Sequence, residues 1–279
     1  MTPERPLQGY AAQVSERTDV RIGVPLPMGI LRPSCLSIGL PLQRHTIASR
    51  TESAAGANGP RKGRMRNPVP IRTLFMDIGG VLLSDGWDHR ARKRAVKKFK
   101  LEAVEMEARH QMVFDTYEEG KLTENEYLDH VVFFRSRPFT RGEFRKFMFA
   151  QSTPYPDMLT LVRELKAKYR LKIVAVSNEA RVLNDYRIQK FQLDEIVDAY
   201  ISSCYVHLRK PDADIFRLAL DVAHTPTQQV GYVENTPMFV EIANGLGIRS
   251  VLHTDYRSTC AKLASLGLKS GEEVVHDAN

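Results

Sequence analysis

The sequence predicts an α/β fold: a Rossmann-like parallel sheet with helices on both faces, joined to a small helical cap. Three observations predict it. Short apolar runs alternate with helical segments along residues 71–270, each run ends in polar residues, and one connection is far too long for a simple crossover.

Ile71–Met76 (IRTLFM) is the first apolar run, and it stops at Asp77 and the Gly79-Gly80 pair. This reads as a buried strand followed by a loop that needs glycine backbone freedom. About 95 residues then separate this strand from the next, where a crossover needs about a dozen. Residues 86–152 fill that gap with helix formers and spaced apolar positions (Val96, Phe99, Val104; Met112, Phe114, Tyr117; Tyr127, Leu128, Val131), and Thr123 with Glu126 matches a capping box. The segment is expected to form a helical cap above the C-terminal edge of the sheet, where open α/β sheets bind ligands. Its phenylalanines, Phe133 to Phe149, are expected to fill the bundle core, and Arg92-Lys93-Arg94 with Lys97-Lys98 to form a solvated face.

The remaining elements follow in regular order. Helices are expected over Asp157–Tyr169, Ala180–Phe191, Asp212–Ala223, Pro237–Leu246 and Tyr256–Leu266, and strands over Leu171–Val176, Gln229–Val233 and Arg249–His253, with a weaker one at Ala199–Ser202. The core domain is therefore expected at 71–85 and 153–270, the cap at 86–152, and a short tail at 271–279.

Charge narrows the function classes. The 279 residues carry a formal +7, but residues 1–70 alone hold ten of the basic and four of the acidic side chains, a net +6. The folded part is nearly neutral, so a basic surface for nucleic acid is not expected. The first seventy residues also hold nine of the fifteen prolines and read as a disordered basic extension. A transit peptide or an interaction tail are the alternatives, the former opposed by Pro25, Pro27 and Pro33. Cys35, Cys204 and Cys260 show no metal or disulfide spacing, which suits a reducing cytoplasm. No apolar run approaches the roughly 18 residues of a membrane span, so no membrane partner is expected.

The chemistry is expected at the strand tips. Asp77 follows the first strand, Ser177 and Asn178 the second, and Glu234 and Asn235 the fourth, while Arg209 and Lys210 precede a helix. Parallel strands would bring these tips to one crevice. Carboxylates, a hydroxyl and an ammonium meeting there suit a metal-assisted displacement with a covalent intermediate. Bland alternatives remain: Ser177-Asn178 and Glu234-Asn235 as helix caps, Asp77 as a turn residue, Lys210 as a solvated loop lysine and His253 as structural.

Asp77-Ile-Gly-Gly-Val-Leu, Ser177-Asn178, Lys210-Pro211-Asp212 with Ile215-Phe216, and Val233-Glu234-Asn235 followed by Ala243-Asn244-Gly245-Leu246-Gly247-Ile248 resemble the four ordered motifs of the haloacid dehalogenase-like hydrolases. The resemblance covers roughly residues 71–270 and is strongest to phosphatases of small phosphorylated metabolites. It implies that Asp77 is a nucleophile forming an aspartyl-phosphate, and that Ser177, Asn178 and Lys210 hold the phosphoryl group. It also implies Mg²⁺ held by Asp77, the Gly79 carbonyl, Glu234 and Asn235.

Two departures matter. Similar phosphatases place a second Asp, a general acid, two residues after the nucleophile, where this chain has Gly79, and many have Asp where it has Asn235. Candidate replacement carboxyls are Asp85, Asp88, Asp115, Glu118 and Glu119, with Trp87 and His89 near the substrate. Two rival functions therefore stand beside the phosphatase: a metal-independent 2-haloacid dehalogenase, and a weakly catalytic member that acts as a binding protein.

Overall fold

A computed structural model describes residues 69–271. The expected basic extension lies outside the described residues apart from its last two positions, as does the tail from residue 272.

Five strands form one sheet: β1 (Thr73–Met76), β2 (Lys172–Ser177), β3 (Ala199–Ser202), β4 (Val230–Glu234) and β5 (Arg249–Leu252). Their order is β3-β2-β1-β4-β5 and every pair is parallel. The chain winds outward from β1 to β3 and then returns to β1's other side for β4. The crevice at that reversal lies between the ends of β1 and β4.

Period-two alternation explains why the strands read as continuous apolar runs. Leu74, Met76, Ile173 and Ala175 face one layer, made by α5 (Pro156–Tyr169), α6 (Arg181–Lys190) and α10 (Tyr256–Ser265). Phe75, Val174, Val176, Val230 and Tyr232 face the other, made by α8 (Ala213–Ala223) and α9 (Pro237–Gly245). Both faces are covered, so both residue sets must be apolar. The weak strand forms as β3 over the expected residues, at the sheet edge, and is followed by a single helical turn, α7 (Ser203–Val206). Ser177 and Glu234, expected just beyond their strands, are instead the last residues of β2 and β4, still inside the ladder.

Between β1 and β2 lie four further helices: α1 (His89–Phe99), α2 (Ala103–Glu118), α3 (Glu124–Val131) and α4 (Arg141–Phe149). Thr123 and Thr140 start α3 and α4 with complete capping boxes, through Glu126 and Glu143. The helices close around a core of their own, in which the Phe144 ring lies 4.9 Å from Phe99 and 5.7 Å from Trp87. The expected solvated basic face is only partly solvated. Arg92 is buried, donating to both Glu107 oxygens at 2.9 and 2.7 Å and to the Trp87 carbonyl at 2.9 Å.

The helical unit is fastened to the sheet domain at two places. Its two chain crossings are tied together, the Ser84 amide donating to the Thr153 carbonyl at 2.8 Å and the Ser84 hydroxyl to the Gln151 carbonyl at 3.0 Å. On the opposite side Arg209 reaches Asp115 at 2.6 Å and Glu118 at 2.8 Å. Gly120 is required there, because its φ is +67° and a Cβ would sit 2.3 Å from the Cys204 carbonyl oxygen.

Candidate active site

Strand parity builds the floor of the site. Tyr232 and Glu234 share one face of β4, and Asp77, two residues after Phe75, stands beside Glu234, its amide donating to the Val233 carbonyl at 3.0 Å. The loop before α8 brings Lys210 to the same face. Its Nζ lies 3.1 Å from Asp77 Oδ1 and 2.6 Å from Glu234 Oε2. Tyr232 also donates its hydroxyl to Glu234 Oε2, and the Thr236 amide donates to Glu234 Oε1 at 2.9 Å.

Asn178 does not cap a helix. Its Nδ2 donates to the Lys210 carbonyl and its Oδ1 accepts from the Lys210 amide, both at 2.8 Å, so the second strand tip fixes the backbone of the lysine. Helix α6 starts four residues after Ser177, at Arg181, and the preceding Ala180 gives it no side-chain cap. The Ser177 hydroxyl is buried, donates to Glu179 Oε1 at 3.4 Å, and is close enough to Asp77 to favour its charged form. His253 keeps a structural role, with Nδ1 2.8 Å from the Thr259 hydroxyl.

Two carboxylates share one ammonium in a buried place, and their proton affinities diverge. Burial and the neighbouring Glu234 charge outweigh Lys210 and hold the Asp77 carboxyl high, at about 7. Burial also penalises the Glu234 charge, but Lys210, Tyr232 and the Thr236 amide overcome it and hold Glu234 below the usual range. Burial opposes the Lys210 charge, and the two carboxylates more than restore it.

These tips open into a cavity of about 390 Å³ roofed by the helical unit. Asp77, Gly79, Ser177, Asn178, Lys210 and Asn235 all line it. Glu234 does not: it is fully buried behind Lys210, with both oxygens engaged. The sequence expectation of Glu234 as a metal ligand therefore meets a different geometry, in which Glu234 holds the lysine. The other expected ligands, Asp77, Gly79 and Asn235, do line the cavity and would offer a carboxylate, a backbone carbonyl and an amide oxygen. A hard-oxygen set with a single carboxylate fits Mg²⁺, which is commonly held by one or two carboxylates while keeping several waters.

The missing carboxyl at position 79 has a neighbour. A Cβ built on Gly79 would lie 3.7 Å from Asp85 Oδ1, and one on Gly80 (φ +72°) would collide with the Asn235 side chain and lie 2.8 Å from Asp85 Oδ1. The Asn235 amide and the Asp85 carboxylate thus both crowd the space beside Gly80, and Asn235 favours the charged form of Asp85. Burial and Asp88 raise Asp85, against the pull of Arg187. Of the other candidates, Asp88 caps α1, accepting from the Ala91 amide at 2.7 Å, and Asp115 and Glu118 are held by Arg209. Glu119 pairs with Lys121 and does not line the cavity.

Sequence reasoning missed two supporting groups. Arg187 is buried, donating to Glu179 Oε1 at 2.6 Å and to the Ser84 carbonyl at 2.5 Å, and so joins the end of β2 to the first loop. Tyr232 was legible in principle, since it lies two residues before Glu234 on one strand and must share its face.

A doubly wound sheet, a helical roof and a carboxylate–lysine floor at the switch point define a capped α/β hydrolase. Residues 71–247 match the family of haloacid dehalogenase-like hydrolases, and the chain belongs to that family. A structure of a HAD family enzyme from Bacteroides thetaiotaomicron, in complex with magnesium and inorganic phosphate, superposes with a TM-score of 0.57 at 18% identity, covering 74% of this chain and 98% of that one. The L-2-haloacid dehalogenase RSc1362 superposes with a TM-score of 0.51 at 16% identity, covering 67% of this chain and 87% of that one. Among curated proteins, drimenol cyclase drtB of Aspergillus calidoustus is 28% identical over 188 residues, 65% of this chain. The match spans about a third of the cyclase's length (34%).

Proposed function

We propose that this hydrolase is a Mg²⁺-dependent phosphatase that releases phosphate from a small phosphorylated metabolite through Asp77. The observation that carries the reading is Lys210, held within 3.1 Å of Asp77 at the base of a cavity also lined by Ser177 and Asn178. Asp77 attacks phosphorus and the ester oxygen departs with the bridging electron pair, taking a proton as it leaves. Water then attacks the aspartyl-phosphate, releasing inorganic phosphate and the carboxylate. Lys210 supplies a fixed positive charge to the phosphoryl oxygens, and Ser177 supplies a hydroxyl. Mg²⁺, held by Asp77, Gly79 and Asn235, would add charge neutralisation. Asp85, beside the vacant position 79, is the carboxyl group placed to protonate the leaving oxygen. The nearly neutral folded part and the free thiols of Cys204 and Cys260 support a cytoplasmic enzyme with no nucleic-acid partner.

One observation favours dehalogenation instead: Gly79 carries no carboxyl. The cavity opposes it. A 2-haloacid brings its own carboxylate, and the permanent cations lining the cavity are Lys210, already between two carboxylates, and Arg92, already chelated by Glu107. Assay of the full chain with p-nitrophenyl phosphate and with 2-chloropropionate, each in Mg²⁺ or EDTA, separates the readings. Phosphate release lost in EDTA and in Asp77→Asn supports the phosphatase. Halide release that survives EDTA overturns it, and no turnover of either leaves a binding protein.

A further inference from the structure

We propose that the cavity is built for the monophosphate of a bulky apolar or aromatic alcohol, with the phosphate on the floor and the apolar body beneath the helical roof. The inference rests on the phosphatase reading of Asp77 and adds to it the class of alcohol released.

The roof is apolar where it meets the cavity. Trp87, Phe114, Tyr117 and Met148 line it from the helical unit and its approach, and Leu183 and Phe239 from the sheet domain. Of their polar atoms, the Trp87 indole nitrogen is committed elsewhere and the buried Tyr117 hydroxyl has no partner. The Trp87 indole donates to the Tyr127 hydroxyl at 2.8 Å, and the same hydroxyl lies 2.9 Å from His110 Nδ1. His110 stacks on Phe114 with centroids 5.1 Å apart, and Arg209 covers the Phe114 ring at 4.9 Å. Phe114 is thus fixed as an aromatic wall.

Charge excludes most common phosphorylated metabolites. Asp85, Asp88, Glu118 and Glu179 line the cavity beyond the floor, while Arg92 is tied up by Glu107 and the Trp87 carbonyl. A second phosphate or a substrate carboxylate would meet Asp85 and Asp88, Glu118 and Glu179 being paired with Arg209 and Arg187, with no uncommitted permanent cation on the cavity wall to receive it. An apolar body avoids that penalty, and a cavity of about 390 Å³ leaves room for one beside a phosphate group. The overall change is ester plus water to alcohol plus inorganic phosphate, so no further reactant is required.

The test uses the full chain in Mg²⁺ and compares phosphate release from n-decyl phosphate and 1-naphthyl phosphate with release from glycerol 3-phosphate, glucose 6-phosphate and phosphocholine. The expected result is at least tenfold higher kcat/KM for the two apolar esters, carried mainly by KM. Phe114→Ala should raise KM for n-decyl phosphate at least fivefold, with Phe114→Leu restoring most of it. Calorimetry with n-decylphosphonate, which is not hydrolysed, should show the same order of affinities for the three proteins. Equal rates across the panel, or a preference for glucose 6-phosphate, overturn the inference and leave the phosphatase reading standing. A preference for phosphocholine would assign the acidic wall to a cationic headgroup and also overturn it. No phosphate from any ester, including p-nitrophenyl phosphate, would instead remove the phosphatase reading.

Discussion

The floor and the roof of the cavity follow different rules. The floor comes from strand tips whose side-chain directions are set by period-two parity, and it gathers buried charges: Asp77, Lys210 and Glu234 within 3.1 Å contacts. The roof comes from helices that pack through aromatic rings, and a histidine among them, His110, is held toward its neutral form by burial and by Arg92. The floor therefore gathers charge at an electrostatic cost, while the roof presents rings to the cavity. Substitutions should separate the two: floor changes act on turnover and charge balance, roof changes on affinity and pH response.

The largest effect is expected at Asp77. Asp77→Asn removes the proposed nucleophile and should lower phosphate release by about 10³-fold or more, while its melting temperature in EDTA stays level or rises. Stability holds because the carboxylate charge is already disfavoured by burial. A variant that unfolds, or that keeps its rate, breaks the assignment. Next comes Asp85→Asn. A general acid contributes about 10²–10⁴-fold, so alkyl phosphates should slow by that order, and p-nitrophenyl phosphate, whose leaving group needs no proton, much less. Equal slowing of both substrates would remove Asp85 from proton transfer.

Lys210→Met leaves two buried carboxylates face to face. Removing one partner of a buried pair costs about 3–5 kcal/mol, which urea denaturation at pH 7 would read. Adding Glu234→Gln should recover a large part of the loss, since the second carboxylate is then gone. Additive losses in the double variant would show that Glu234 does not depend on the lysine.

The same contrast explains what could be read from the sequence. The five strands were legible because both sheet faces are covered, so each strand is a nearly unbroken apolar run, and the polar residues that end the runs are the floor itself. Even the weak edge strand kept its bounds. The partners of the charges were less legible. Arg92 reads as part of a basic helix face, but Glu107, fifteen residues on, turns it inward. Glu234 sits where a metal ligand was expected, yet its oxygens are turned to Lys210, Tyr232 and the Thr236 amide, which only the assembled sheet brings together. Asp85 reaches position 79 because Gly80 and Gly86, both at φ +72°, fold the loop back on itself.

The smallest expected effect is also the most direct comparison of floor and roof, because their pH responses have opposite signs. Burial first, then Arg92, pushes the His110 imidazolium down to about 4 from 6.5. The unfolded chain then binds more protons between these values, so this group's stability contribution is complete above about pH 6.5 and is lost as pH falls toward 4. At about 1.4 kcal/mol per unit, the full swing is roughly 3 kcal/mol. Asp77 works the other way. Its carboxyl stands at about 7 in the fold against 3.8 unfolded, so the metal-free folded state binds more protons and loses stability as pH rises from about 4 to 7. In wild-type protein in EDTA the two slopes partly cancel. His110→Gln, which keeps a polar group near Tyr127, should leave a stability that falls with rising pH, and Asp77→Asn one that rises. Urea denaturation at half-unit steps from pH 4.5 to 7 reads both, and the difference between the two variants cancels the groups they share. Parallel pH profiles for the two variants would mean that floor and roof do not divide the charge in the way the geometry requires.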